Sequence, residues 1–271
     1  MNDKQDAELA LREGRLEQAL ELLQQQVRSS PSAPELRIFL FQLLAIMGQW
    51  QRALVQLRLA GELQASALAM VQLYAPALQC EQLRSEVFAG RRSPLILGQP
   101  EEWLAWLVES LQAAAQGRMA DSDRLREQAF EAAPACGGSA NGVPFGWIAD
   151  ADMRLGPVCE AIIEDRYYWL PFQRLRRIVF EPPVDLRDAV WMPVHFEFAN
   201  GGSTVGLIPT RYPGSELHAD GAIRMGRRTE WVERGKGVYL GLGQRVLATD
   251  SGDHALMDLK EIILNSGEVR A

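Results

Sequence analysis

The spacing of apolar residues changes once along the chain and divides it into two halves. In the first half, apolar residues recur at helical spacing, as Leu20 and Leu23 do and as Leu54 and Leu57 do again. This spacing predicts amphipathic helices. In the second half, apolar and polar residues alternate, as they do over 194–198, which predicts strands.

A repeat of 34 residues lies within the helical half. The segment that begins at Gly14 aligns with the segment that begins at Gly48, and a degenerate third copy begins at Gly117. This period is the length of a tetratricopeptide unit, and glycine suits the place where the first helix of each pair ends. The repeat predicts a tetratricopeptide-like helical domain over residues 1–135. Plain helical hairpins without a groove are the alternative.

The strand half carries two predicted hairpins. Residues 194–198 and 204–208 flank Asn200-Gly201, and residues 158–163 and 166–170 flank Glu164-Asp165. Further strands are predicted at 177–181, 238–242, 245–249 and 255–259. Short strands separated by many Gly and Pro residues favour a mostly antiparallel, β-barrel-like (SH3-like) domain over 145–271, with 136–144 as a linker. The predicted fold class is therefore α+β with two domains.

Composition supports this division and limits the function. Only 6 of the 23 glycines precede residue 135, as expected for a helical half. The net charge is −7, with no clustered basic excess, which argues against nucleic-acid binding. No apolar run reaches the length of a membrane span, and the polar N-terminus lacks a signal-peptide core. We therefore expect a cytoplasmic protein without membrane insertion.

Motifs for cofactors, metals and covalent catalysis are weak. The three histidines lie more than 20 residues apart, no Cys-x-x-Cys is present, and Cys80, Cys136 and Cys159 are too few for a disulfide framework. The glycines around 235–243 lack the spacing of a nucleotide loop. Ser215, His218 and Asp220 crowd into one loop instead of forming a triad. The sequence predicts no enzyme, no cofactor and no metal.

One polar cluster keeps an enzymatic alternative open. Asp150, Asp152 and Arg154 would share one face of a strand, and Arg211 could join them. Such a cluster could bind a small ligand or a hard cation, but a structural set of salt bridges is favoured.

Several segments together resemble one family. They are residues 34–44, 48–54, 80–90, 147–157, 166–172, 185–191, 208–216 and 241–250, among them Gly48-Gln-Trp50-Gln-Arg-Ala53 and Ile208-Pro-Thr-Arg211-Tyr212-Pro. The chain resembles the ImpE/TagJ (SciE-type) accessory proteins of bacterial type VI secretion systems. The resemblance implies a non-enzymatic accessory factor that engages the small subunit of the contractile sheath. It also implies a link to sheath turnover by the ClpV-type AAA+ ATPase.

We predict that the tetratricopeptide-like surface binds an amphipathic helix of the sheath small subunit in the helix-in-groove mode. The repeat register places four residues on the groove side and two beside it: Ile38, Gln42, Ala45 and Ile46, flanked by Arg37 and Phe41. Ordinary helix packing is the alternative role for each of them. A third possibility is that the strand half binds the partner and the repeats only brace it.

Overall fold

The computed structural model describes residues 3–99, 101–235 and 237–265. The helices in these ranges are α1 (Asp3–Arg12), α2 (Leu16–Ser29), α3 (Pro34–Ile46), α4 (Trp50–Leu63), α5 (Leu68–Phe88), α6 (Glu102–Ala115), α7 (Met119–Ala132) and α8 (Gly221–Arg224). The strands are β1 (Leu95–Ile96), β2 (Gly138–Ala140), β3 (Val143–Phe145), β4 (Ile148–Asp150), β5 (Val158–Ile163), β6 (Arg166–Pro171), β7 (Leu175–Phe180), β8 (Trp191–Phe198), β9 (Ser203–Pro209), β10 (Thr229–Gly235), β11 (Val238–Gly243), β12 (Val246–Thr249), β13 (Gly252–Ala255) and β14 (Glu261–Leu264).

The three repeat glycines each end the first helix of a helical hairpin. Gly14, Gly48 and Gly117 have φ angles of +77°, +68° and +75°, a region that glycine enters without steric cost. The N–H after each glycine donates back into the finished helix; that of Gln49 reaches the Leu44 carbonyl oxygen at 2.9 Å. The hairpins are α1–α2, α3–α4 and α6–α7. Their assignment as tetratricopeptide units stays a prediction.

Helix α5 interrupts the repeat. It is a single helix of 21 residues that follows α4 after one 3₁₀ turn, and it contains Pro76. Its buried residues include Glu81 and Arg84, which are charged, and its residues pack against β6 of the sheet. Helix α5, which packs against the sheet, therefore separates the third repeat from the first two.

In the described part of the chain, nine strands form one sheet in the order β1-β6-β5-β9-β8-β7-β14-β2-β3. Neighbours are antiparallel except β1 and β6. The described residues also form two smaller sheets. One pairs β10 with β11, and the other has three strands in the order β13-β12-β4. The large sheet begins at β1 and ends at β3, so it is open. The expected barrel-like, SH3-like closure is therefore wrong, and the fold is α+β with a mostly antiparallel open sheet.

Both predicted hairpins are present. β5 and β6 turn at Glu164 and Asp165, whose φ angles of +46° and +64° suit a two-residue turn of the type that matches strand twist. The predicted strand at 255–259 is wrong. β13 ends at Ala255, and a 3₁₀ turn over Leu256–Asp258 follows; Leu256 and Leu259, three positions apart, are both buried. The predicted linker at 136–144 holds β2 and part of β3.

The helices cover one face of the large sheet. Leu43 of α3 and Tyr74 of α5 belong to the same apolar core as Trp169 of β6 and Trp191 of β8. A second core lies on the opposite face of the sheet, where Leu247 of β12 joins it. The helical and strand-rich halves thus share a core, and their division into separate domains stays a prediction.

Candidate functional site

A network of buried charges lies where α5 meets the sheet. We call it the charged network, and it consists of Glu81, Arg84, Asp150, Asp152, Arg154, Glu160, Arg211 and Arg245. It holds four carboxylates and four guanidinium groups, so its formal charges cancel. Burial of charge is costly unless each group is paired and hydrogen-bonded, and seven of the eight groups have an oppositely charged partner. The guanidinium of Arg211 is the exception, because it is hydrogen-bonded to backbone carbonyl oxygens instead.

Glu160 is at the centre of the network. It lies on β5 and is fully buried. Arg84 of α5 binds its carboxylate with two bonds, Nε to Oε1 at 2.6 Å and Nη2 to Oε2 at 3.1 Å. Arg245 Nη2 also donates to Oε2, and the Tyr167 hydroxyl donates to Oε1 at 2.5 Å. This carboxylate therefore joins the helical half to two separate strand segments.

Asp150, Asp152 and Arg154 do lie together, but not on one face of a strand as expected: β4 ends at Asp150, and the other two residues lie in the bend and turn that follow. Arg245 pairs with Asp150, and the Asp152 N–H donates to Asp150 Oδ1 at 2.9 Å. Arg154 Nη2 binds Asp152 Oδ2 at 2.5 Å, and the Gly241 N–H donates to the same oxygen at 2.8 Å. Both carboxylates are occupied by partners from the chain itself, which is the arrangement of a structural cluster.

Arg211 is not part of that cluster. Its Nη1 donates to the Ile46 carbonyl oxygen at 2.8 Å and also to the Arg224 carbonyl oxygen. Its own carbonyl oxygen accepts from Arg84 Nη2 at 2.7 Å, which ties it to the charged network. Arg211 therefore closes the C-terminal end of α3, where the last carbonyl groups lack partners inside the helix.

The titration behaviour of the network follows from burial and pairing. Burial opposes ionisation of Glu160, but Arg84 and Arg245 outweigh it and lower the pKa of Glu160 to about 2. For Asp150, burial outweighs the nearby Arg245 and raises its pKa to about 6. Burial also lowers the pKa of Arg211 to about 10. Glu160 stays an anion across the physiological range and serves as a fixed charge.

Four network residues were missed from the sequence: Glu81, Arg84, Glu160 and Arg245. Glu81 accepts from Trp191 Nε1 at 2.9 Å and from Arg84 Nη1 at 3.3 Å. Two signals could have found members of the set. Glu160 is the one charged residue inside the apolar strand 158–163, and Glu81 with Arg84 forms an i, i+3 pair on a helix.

The predicted partner-binding residues of α3 are mostly inside the protein. Phe41, Ala45 and Ile46 are fully buried, and Gln42 is nearly so. Arg37 is partly exposed and donates Nη1 to Gln56 Oε1 of α4 at 2.8 Å; Ile38 is also partly exposed. Four of the six side chains therefore do not form an open groove, because the sheet and α5 cover that side of α3.

Accessible apolar surface in the same helical hairpin lies on α4. Val55 is 53% exposed and Leu63 44% exposed, and the partly exposed Leu59 lies between them. The spacing of four places these three on one face of the helix, and we call them the α4 stripe. The exposed Arg52, Arg58 and Glu62 flank it. Apolar side chains exposed at this spacing give the apolar face of another helix a surface to pack on.

Two further findings concern metal binding and membrane spans. Across the described ranges, no three His, Cys, Asp or Glu side chains lie close enough together to hold a metal ion. None of the helices described is both long and apolar enough to cross a bilayer.

Comparisons with known proteins agree on one group of relatives. The model of the ImpE protein family matches residues 142–263. The type VI secretion system accessory component TagJ of Pseudomonas aeruginosa PAO1 is 56% identical over 256 residues, which covers 94% of this chain and 90% of that protein.

A solved structure shows the same fold. The crystal structure of protein VPA1032 from Vibrio parahaemolyticus superposes with a TM-score of 0.87 at 27% sequence identity. The match covers 96% of this chain and 97% of that one. The helices and the open sheet therefore occur together in an experimentally determined relative.

Proposed function

The chain belongs to the ImpE/TagJ family of type VI secretion accessory components, and we propose that it is a non-enzymatic adaptor that binds the small subunit of the contractile sheath. The partner would contribute an amphipathic helix. Through this contact the adaptor would influence assembly of the sheath or its recycling by the ClpV-type ATPase.

The charged groups of the network bind one another inside the protein, and this favours an adaptor over an enzyme. Asp150, Asp152 and Arg154 are the polar residues that a ligand site in the strand half would use, and all three bind groups of the chain itself. A catalytic acid or base must reach the proton that it transfers. Asp150 and Asp152 are 3% and 0% exposed, which favours a role in joining the two halves.

The α4 stripe is the docking surface that we propose for the sheath helix. It belongs to the second hairpin of the helical half, as the predicted groove does, but its apolar side chains are accessible. Its length, from Val55 to Leu63, corresponds to about two helical turns, which suits the i, i+4 anchors of an incoming helix. Arg52, Arg58 and Glu62 beside it offer charges of both signs to the flanks of that helix.

Co-purification of the full chain with separately tagged sheath small subunit, sheath large subunit and ATPase tests the partner assignment. We expect the small subunit to be retained by itself. Retention of the ATPase only when the small subunit is present would indicate an indirect link. If the small subunit is not retained under any condition, the proposed function is wrong.

A further inference from the structure

A large cavity lies on the face of the sheet that the helices do not cover. Its volume is about 950 Å³, within the range of pockets that hold small ligands or peptide side chains. The large apolar side chains that line it are Leu97, Ile163, Tyr168 and Phe198, and the smaller Pro134, Ala135, Cys136 and Ala199 line it too, together with Thr204 of β9. The cavity is therefore suited to apolar groups.

The charged groups at the rim are mostly satisfied by one another. Arg174 Nη1 donates to the Leu97 carbonyl oxygen at 2.6 Å, and its Nη2 lies 2.8 Å from Glu101 Oε1. Gln173 donates to the same Glu101 oxygen at 2.6 Å. Glu164 also lines the cavity, at the exposed turn between β5 and β6. The rim thus offers one acidic side chain, and recognition there must come chiefly from apolar contact and from backbone groups.

The backbone groups of β9 alternate in direction, as those of every antiparallel strand do. At one end of the β8–β9 ladder, the Phe198 N–H donates to the Gly202 carbonyl oxygen at 2.8 Å. At the other end, the Thr210 N–H donates to the Val190 carbonyl oxygen at 2.9 Å. Gly202 and Thr210, the residues on the β9 side of these two bonds, both have even numbers. The N–H and C=O groups of even-numbered residues in β9 therefore point towards β8, and those of odd-numbered residues point away from it.

Those odd-numbered residues meet a partner strand at one place within the described residues, where Leu207 pairs with Ile162 of β5. Beyond that pair, β5 ends at Ile163 and turns into β6. The outward N–H and C=O groups of Ser203 and Val205 therefore extend past the end of β5. Val205 is 69% exposed, and the Thr204 hydroxyl lies 3.3 Å from its carbonyl oxygen, a contact that an incoming N–H can replace.

We propose that this free edge of β9 and the cavity beside it form a second docking site, which binds a short extended peptide segment of a protein partner. The peptide would add a strand next to residues 203–205, with main-chain bonds to Val205 and one apolar side chain in the cavity. A basic side chain of the peptide would lie near Glu164. This site is separate from the α4 stripe, and it takes a strand where the stripe takes a helix.

The test uses a phage-displayed library of random decapeptides selected against the full chain. We expect the enriched peptides to alternate apolar and polar residues and to contain a basic residue. Val205→Pro removes the outward N–H without touching a bond to β8, so it should weaken the best peptide about tenfold. Val205→Ala, which keeps the N–H, should bind within about twofold of the original chain.

A cavity variant and a truncation complete the test. Thr204→Trp fills the cavity and should also abolish binding, while thermal melts of all variants confirm that the fold is kept. Recovery of no peptide above background would overturn the proposal, as would equal binding by Val205→Pro. Binding that appears only after removal of residues 266–271 would overturn it too, because the cavity would then belong to the chain's own terminal segment, which follows the lining residue Asn265.

Discussion

Arg211 donates Nη1 to the carbonyl oxygen of Ile46 at 2.8 Å, across 165 positions of sequence. Sequence patterns place these two residues in different predicted sites, a polar ligand cluster and a partner groove. In the structure they are one contact, in which a buried guanidinium from the strand half ends a helix of the helical half. The contact shows how both candidate sites are used internally to hold the halves together.

Replacement of Arg211 by methionine should therefore destabilise the whole protein. The change leaves the Ile46 and Arg224 carbonyl groups buried without this donor, and an unsatisfied buried acceptor costs about 1–3 kcal/mol. Urea unfolding followed by tryptophan fluorescence measures the loss. Arg227→Met is the matched control, since Arg227 also donates to a helix-terminal carbonyl, that of Arg12 at 2.7 Å, but at an exposed place. Equal losses in the two variants would contradict the role given to Arg211.

The charged network should also govern stability in acid. The pKa of Glu160 is about 2 in the folded chain and near 4.5 in an unfolded one, so the unfolded state takes up the proton first as the pH falls. The stabilisation is fully present above about pH 4.5 and is lost as the pH falls towards 2. A shift of this size corresponds to about 3 kcal/mol.

Glu160→Gln should remove that dependence. We expect a loss of about 3–5 kcal/mol at pH 7, because Arg84 and Arg245 lose their shared carboxylate, and a flatter decline in the free energy of unfolding below pH 4.5. Urea titrations at pH 7, 4.5, 3.5 and 3 measure both, since the last three lie in the range where Glu160 loses its stabilising effect. Glu197→Gln, which removes a surface partner of Arg176 and Arg177, should change little at pH 7. An unchanged acid profile in Glu160→Gln would exclude Glu160 as the source.

A second contact between the halves depends on the absence of a side chain. A Cβ built on Gly221 would lie 2.1 Å from the carbonyl oxygen of Gly14, at the turn between α1 and α2. Gly221→Ala should therefore push the two backbones apart and cost about 1–3 kcal/mol. Gly202→Ala, whose new methyl group would meet only the side chains of Asn200 and Phe198, should stay within about 0.5 kcal/mol of the original chain in the same unfolding measurement.

The parts of the fold that depend on local sequence were predictable. Glu164 and Asp165 form the turn expected between two strands, and Gly14 and Gly48, one 34-residue period apart, each end a helix as expected. These features depend on backbone preferences within a few residues of each other.

The parts that depend on distant contacts were not. The apolar face of α3 looks the same in sequence whether it lines a groove or packs inside the protein. Its partners are distant in sequence, since Phe41 packs against Tyr74 of α5 and Ile46 contacts Arg211 from the other half of the chain. The pairing of Arg84 with Glu160 joins residues 76 positions apart, and a single sequence holds no signal for the partner. The open sheet likewise follows from which strands become neighbours, which short strands alone do not specify.

Calorimetric titration of the full chain with the purified sheath small subunit tests the central claim most directly. The proposed adaptor should bind, and Val55→Asp combined with Leu63→Asp should weaken binding at least about tenfold by placing two charges in an apolar contact. Gln25→Asp combined with Gln79→Asp adds the same charge at exposed positions elsewhere on the helices and should bind normally. Absence of binding by the original chain would contradict the adaptor role, and undiminished binding by the stripe variant would contradict the α4 surface.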